Sequence, residues 1–276
     1  MSTVPVEIID THAHLDDSAF DDDRAEVVRR AAEVGVRRIV NVGYCPDRWA
    51  TTRALAEAHP GIRAMYGLHP QEAALYSGET LDALEATLRS SSPVAVGEIG
   101  LDYVRGRTDR AVQREAFAAQ IALARRLGLP IVIHQRAAES DVAEILTGET
   151  DLPPVLLHSF DGRHDLADLA VSRGWLLGVG GLATKPSRAD LREVLATVPL
   201  ANVVLETDAP YLVPAGIRHR RNEPANLATA IHPLAEIWGV SAEIMASATT
   251  ATAERFFAIG PAVAKVAARH ARSSAT

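Results

Sequence analysis

Short runs rich in Val, Ile and Leu recur along the chain at 6–9, 38–42, 63–66, 94–97, 130–133, 155–157, 175–179 and 203–205. They are too short for helices, and their near-continuous apolar character suits strands covered on both faces. Between them lie longer stretches with apolar residues at helical spacing, at 21–34, 48–58, 80–89, 109–127, 137–146, 165–173 and 188–196. Two more follow the last run, at 224–238 and 242–257. Eight strand–helix alternations at this length predict an α/β chain folded as a (β/α)8 barrel of the TIM type, a single domain over residues 1–260. An open doubly wound sheet has the same periodicity. No Gly-rich phosphate fingerprint follows an early strand, which disfavours it. Residues 261–276, rich in Ala, Ser, Lys and Arg, read as a C-terminal extension, helical or frayed.

Polar residues interrupt this pattern at particular places. The first run leads into Asp10-Thr11-His12-Ala13-His14, and the third into Gly67-Leu68-His69-Pro70. The fourth ends at Glu98, the fifth at His134, the sixth at His158 and the eighth at Asp208. In a barrel these positions converge on the C-terminal mouth, where active sites of this fold are built. Imidazoles and carboxylates without a thiolate suit Mg, Mn or Zn. His12 and His14 share a face if strand geometry continues that far. Glu98 can bridge two ions, His134 and His158 would hold the second, and Asp208 would bind the first and face its water. Singly, each residue has an ordinary explanation: a carboxylate after a strand often caps a turn, and a lone histidine often packs. Six ligand-type residues closing five strands are hard to explain that way, and the set predicts a two-ion divalent metal site.

Composition narrows the alternatives. The 276-residue chain carries a net charge of −7, which argues against a basic surface for non-specific nucleic-acid binding but not against a local anion site. Its single cysteine, Cys45, cannot form an internal disulfide. No apolar run approaches membrane-spanning length, and the first residues do not read as a secretion signal. The expectation is a cytoplasmic protein without membrane contact, monomeric by default.

The motifs together resemble the TatD family of metal-dependent hydrolases, among the amidohydrolase-like barrels. The matching pieces are Asp10-Thr11-His12-Ala13-His14-Leu15, Gly67-Leu68-His69-Pro70, Gly97-Glu98-Ile99-Gly100-Leu101-Asp102, His134-Gln135-Arg136, His158-Ser159-Phe160, Glu206-Thr207-Asp208-Ala209-Pro210-Tyr211-Leu212 and Arg221-Asn222-Glu223-Pro224. They occur in the family's order across residues 8–257. The resemblance implies a two-metal centre and hydrolysis of DNA phosphodiesters, with 3′–5′ exonuclease activity reported for some members. It carries ligand roles onto His12, His14, Glu98, His134, His158 and Asp208, and substrate or phosphate contacts onto His69 and Arg136. Two departures stand out. Ala137-Ala138 follows Arg136 where the family often has an acidic residue, and Ser159 stands where many members have cysteine.

The expected chemistry is attack on phosphorus by a metal-bound hydroxide, with Asp208 as proton acceptor and Glu98 as the bridge. Arg136 and the basic loop around Arg221 would hold phosphate. Asp10 is expected to orient a ligand or its loop, Asp102 to sit behind the ligands or in a turn, and Glu206 to face inward or support a ligand. Tyr211 and Phe160 either pack at the base of the loops or stack on a base. The alternative function is hydrolysis of a carboxylic ester, lactone or amide, including aminoacyl-tRNA deacylation, by the same ions. A binding subunit is disfavoured because the ligand set is intact.

Overall fold

The computed structural model describes residues 7–260; the extension expected at 261–276 lies outside them. Eight strands run in the order β1 (Ile8–Ala13), β2 (Val36–Gly43), β3 (Ile62–Tyr66), β4 (Ala95–Asp102), β5 (Ile131–Arg136), β6 (Val155–Leu157), β7 (Leu176–Val179) and β8 (Val203–Leu205). Each pairs in parallel with the next, so sheet order equals chain order. The sheet closes at its C-terminal end. Ala13 bridges Ala209, His14 N–H donates to Ala209 O at 2.7 Å, and Asp208 N–H donates to His12 O at 2.9 Å. The expected (β/α)8 barrel is the fold.

The helices between strands are α1 (Arg24–Glu33), α2 (Pro46–Ala58), α3 (Gly78–Ser90), α4 (Arg110–Leu127), α5 (Glu139–Gly148), α6 (His164–Arg173) and α7 (Ala189–Leu195), followed by α8 (Leu227–Ile237) and α9 (Ala242–Phe257). Side chains fix several of their starts. Asp109 accepts from Ala111 N–H ahead of α4, Ser77 from Thr80 N–H ahead of α3, and Ser241 from Ile244 N–H ahead of α9. The stretch expected at 224–238 divides into a 3₁₀ turn, Pro224–Asn226, and α8.

Two apolar layers follow from strand alternation. Ile9, Val40, Val42, Met65, Ala95, Val132, Leu156, Leu176 and Val204 fill the barrel interior, with Phe257 of α9 joining them. Ile8, Ile39, Ile62, Val96, Ile131, Val155, Leu177 and Val203 face outward against the helices. Continuing the inward parity upward, Val132 leads to His134, Leu156 to His158 and Val204 to Glu206.

Simple alternation fails at the two residues that matter most. Inward Ala95 would leave Glu98 outward, and inward Ile9 would leave His12 outward. Each strand carries one extra residue at that point: three steps of β4 (Val96 to Ile99) oppose two of β5, and three of β1 (Asp10 to Ala13) oppose two of β2. Such bulges re-aim side chains beside functional sites. Here they turn Glu98 and His12 into the mouth. β1 and β4 extend beyond the apolar runs expected at 6–9 and 94–97, carrying the polar residues that follow them. Gly100 permits the close strand approach that follows, since it lies at φ +136° and a Cβ there would stand 2.1 Å from His134 O.

Candidate metal centre

All six expected ligands meet at the barrel mouth. His12 and Glu98 are 0% and 3% exposed, and His14 and His158 are also buried. Glu98 lies at the centre. Its Oε2 is 3.4 Å from His12 Nε2, while its Oε1 is 2.8 Å from His134 Nδ1 and 3.7 Å from His158 Nε2. Asp208 Oδ1 stands 3.4 Å from His14 Nε2 and 3.8 Å from both His12 Nε2 and His158 Nε2. Asp208 has φ +55°, a left-handed conformation that Asp tolerates better than most residues and that lets it leave β8 pointing into the mouth. Ala137 (φ +50°), directly after β5, and Ser159 (φ +48°), two residues beyond β6, take the same conformation.

The donor set fits divalent cations. Donors around one ion at bond lengths of roughly 2.0–2.2 Å lie about 3.0–3.6 Å apart, close to the His12–Glu98 and His14–Asp208 separations. Buried ring nitrogens of His12 (both), and Nδ1 of His14, have no hydrogen-bond partner in the protein, a costly state that a bound cation relieves at the nitrogen facing it. Charge agrees. Burial opposes a charge on His158, yet Glu206, Glu98 and Asp208 outweigh it and push its pKa up to about 10, the mark of carboxylates gathered where a cation would sit. His12 moves the other way, lowered by burial and by neighbouring His158. A neutral imidazole is the ligating form.

Further carboxylates stand behind these side chains. Asp102 Oδ2 lies 3.2 Å from His134 Nε2, leaving Nδ1 toward Glu98. Asp102 also accepts from the N–H groups of Val104 and Arg105, so it is both turn residue and ligand support. Glu206 Oε1 stands 3.0 Å from His158 Nδ1 and accepts from Ser159 N–H at 2.7 Å. Asp10 bonds no imidazole. It accepts from His12 N–H and from Thr207 N–H and Oγ1, tying β1 to the turn after β8. Burial raises the Asp10 pKa to about 7 against those hydrogen bonds.

His69 Nδ1 accepts from Gln71 N–H at 3.1 Å. The neutral ring therefore carries its proton on Nε2, 3.6 Å from Glu98 Oε1, where it is a donor toward the mouth.

The mouth opens into a cleft of about 690 Å³. Four arginines line it: Arg105 after β4, Arg136 at the end of β5, Arg188 after β7 and Arg220 in the loop after β8. Arg188 and Tyr44 were not singled out from sequence. Tyr44 directly follows β2, a positional signal that marks it; Arg188 precedes α7, well beyond the end of β7, and carries no such signal. Arg221 goes elsewhere, contrary to the expected phosphate role. Its guanidinium donates to both Asp23 oxygens at 2.7 Å and to Ala19 O, and lies over the Phe20 ring. It pins the loop after β8 to the start of α1. Phe160 is buried core, whereas Tyr211 is 51% exposed on the cleft.

This centre on this barrel has relatives. The family described as "TatD related DNase" matches residues 9–258. The chain belongs to the TatD family. It is 36% identical over 255 residues to the Bacillus subtilis metal-dependent hydrolase YabD, covering 91% of this chain and 99% of that one. It is 33% identical to the "3′-5′ ssDNA/RNA exonuclease TatD" of Cronobacter sakazakii, over 91% and 97% of the two chains. The Escherichia coli TatD homologue YjjV superposes with a TM-score of 0.85 at 32% identity, over 92% and 99%. This TatD-family chain is accordingly an enzyme, a metal-dependent hydrolase. Among its described residues no helix is long and apolar enough to cross a membrane.

Proposed function

We propose that this hydrolase cleaves phosphodiester bonds, removing nucleotides from the 3′ end of single-stranded or frayed DNA, with two divalent ions. The observation that carries the reading is the placement of Arg105, Arg136 and Arg220 around the cleft that holds the ligand cluster, beside Arg188, which Asp190 and Asp161 O hold. On a chain of net charge −7, cations gathered there suit a polyanion that must reach the ions. The exonuclease name of the Cronobacter relative points the same way.

One ion would rest on His12, His14, Glu98 and Asp208, the other on Glu98, His134 and His158. Bound divalent ions supply Lewis acidity, making water a stronger acid and neutralising phosphate oxygens. The chain does the rest. The two oxygens of Glu98 face different imidazoles, as a bridging carboxylate requires. Asp208 is the ligand-set carboxylate with solvent access, at 15% side-chain exposure, and can accept the proton of the attacking water and return it to the leaving alkoxide. His69 Nε2–H donates to a non-bridging oxygen. Arg136 offers a planar fork to the same group.

The test strips the protein with chelator, then restores Mg, Mn or Zn separately and assays single-stranded DNA, duplex DNA, RNA and a panel of carboxylic esters and lactones. Metal-restored release of mononucleotides from single strands is expected. Turnover of an ester with no cleavage of any nucleic acid would replace the reading with a carbonyl hydrolase.

A further inference from the structure

Arginines reach the cleft from several strand ends: Arg105 after β4, Arg136 at the end of β5, Arg188 after β7 and Arg220 after β8. Over β8, β1 and β2 the cleft also carries two tyrosines. Tyr211 and Tyr44 flank the His14 imidazole edge-on, with ring centroids 5.8 Å and 5.5 Å away. Tyr44 is partly covered, while Tyr211 is 51% exposed. An exposed aromatic ring on the wall of a catalytic cleft is apolar area awaiting a flat partner.

Tyr211 is also held in place. Its N–H donates to Asp208 O at 2.7 Å, so a tight turn fixes it relative to a metal-site carboxylate. Its hydroxyl meets Asp17 Oδ2 at 3.3 Å, at the far edge of the ring. The ring is thus anchored at its backbone and touched at its hydroxyl, which lowers the freedom lost on stacking.

Resting on the nuclease reading, we propose that Tyr211, bordered by Tyr44, is a stacking platform for one nucleobase of the nucleotide whose phosphate occupies the metal centre. The base lies on the β8–β1–β2 side, and the remaining strand leaves across Arg105 and Arg136, which follow β4 and β5. Stacking requires an unpaired base, because a base inside a duplex has both faces covered by its neighbours. The platform therefore selects single strands, and it is indifferent to which base it carries.

Two chromogenic diesters separate base from phosphate: thymidine 5′-(p-nitrophenyl phosphate) and methyl p-nitrophenyl phosphate. Tyr211→Ala should raise KM for the thymidine ester about tenfold more than for the methyl ester, with kcat little affected. Tyr211→Phe, which keeps the ring and loses only the Asp17 contact, should recover most of the wild-type ratio. A 2-aminopurine at the end of a short single strand should be quenched on binding wild type and Tyr211→Phe, and much less by Tyr211→Ala. Circular dichroism checks the fold, and Tyr211→Leu keeps bulk without the ring should the alanine variant fail to fold. Equal effects on both esters, or undiminished quenching with Tyr211→Ala or Tyr211→Leu, would overturn the platform. Quenching by wild type with hydrolysis of neither diester would sink the nuclease reading and leave the platform standing.

Discussion

Glu206 reaches from the end of β8 to within 3.0 Å of His158 Nδ1. It can do so because Gly178 of β7 has no side chain: a Cβ there would stand 2.2 Å from Glu206 Oε2. The carboxylate lies beside Nδ1 of the ring, whose Nε2 faces Glu98 and Asp208. Carboxylates behind metal-bound histidines typically contribute 10–100-fold in metal affinity or activity. Glu206→Gln should fall within about that range, and Gly178→Ala should resemble it although it removes no polar group. Metal titration by calorimetry, run beside activity assays, checks both. Unaltered metal affinity in both variants would deny the support role.

Asp208→Asn keeps size and shape but loses the basic oxygen. Turnover should drop about 10²–10⁴-fold, as for removal of a proton acceptor, while the circular dichroism spectrum stays that of the wild type. A variant with near-normal turnover would remove Asp208 from the proton transfer.

Arg136 and Arg221 should separate cleanly. Arg136 is exposed on the cleft, so Arg136→Ala should raise KM for nucleic acid and weaken its salt dependence. Arg221 is engaged by Asp23 and Ala19. Arg221→Ala should mainly lower Tm, with a smaller change in KM. Salt-dependent kinetics and thermal melts on the two variants decide between these assignments.

The same ion pair predicts a pH dependence of stability. Hydrogen bonding to Arg221, then to Arg30, lowers the Asp23 pKa from its ordinary 3.8 to about 2. A depressed carboxylate stabilises the fold fully above its unfolded pKa, and that contribution disappears as pH falls through the folded value. Asp23→Asn should therefore melt below wild type at pH 6, and the gap should close between about pH 4 and pH 2. The pair is partly exposed, so the gap corresponds to at most ~1 kcal/mol. A gap constant down to pH 2 would show that Asp23 acts through something other than its charge.

Restoring a divalent ion to chelated protein should raise Tm, because ligands bound only by the folded state stabilise it, by about 2.7 kcal/mol at a hundredfold excess over Kd. Glu98→Ala should abolish most of that rise, since Glu98 faces both halves of the donor set. Scanning calorimetry with Mg, Mn and Zn in turn measures it and ranks the metals.

Much of this protein was legible in its residues. Buried parallel strands need apolar runs, and helices between them need an apolar stripe, so eight alternations announced the barrel. Polar residues at strand ends could only be gathered at one mouth, which made His12, His14, Glu98, His134, His158 and Asp208 readable as a group. What they do to one another depends on tertiary structure. Strict alternation would face His12 and Glu98 outward; single-residue bulges in β1 and β4, visible only in the pairing with neighbouring strands, turn them in. Which carboxylate supports which imidazole follows from strand register, and so do the Asp102–His134 and Glu206–His158 pairs. Arg220 and Arg221 are adjacent in the chain, yet one lines the cleft and the other pairs with Asp23 ahead of α1, a division set by the path of the loop after β8. Tyr211 and Phe160 likewise share a sequence signature and differ in burial, which no local pattern specifies.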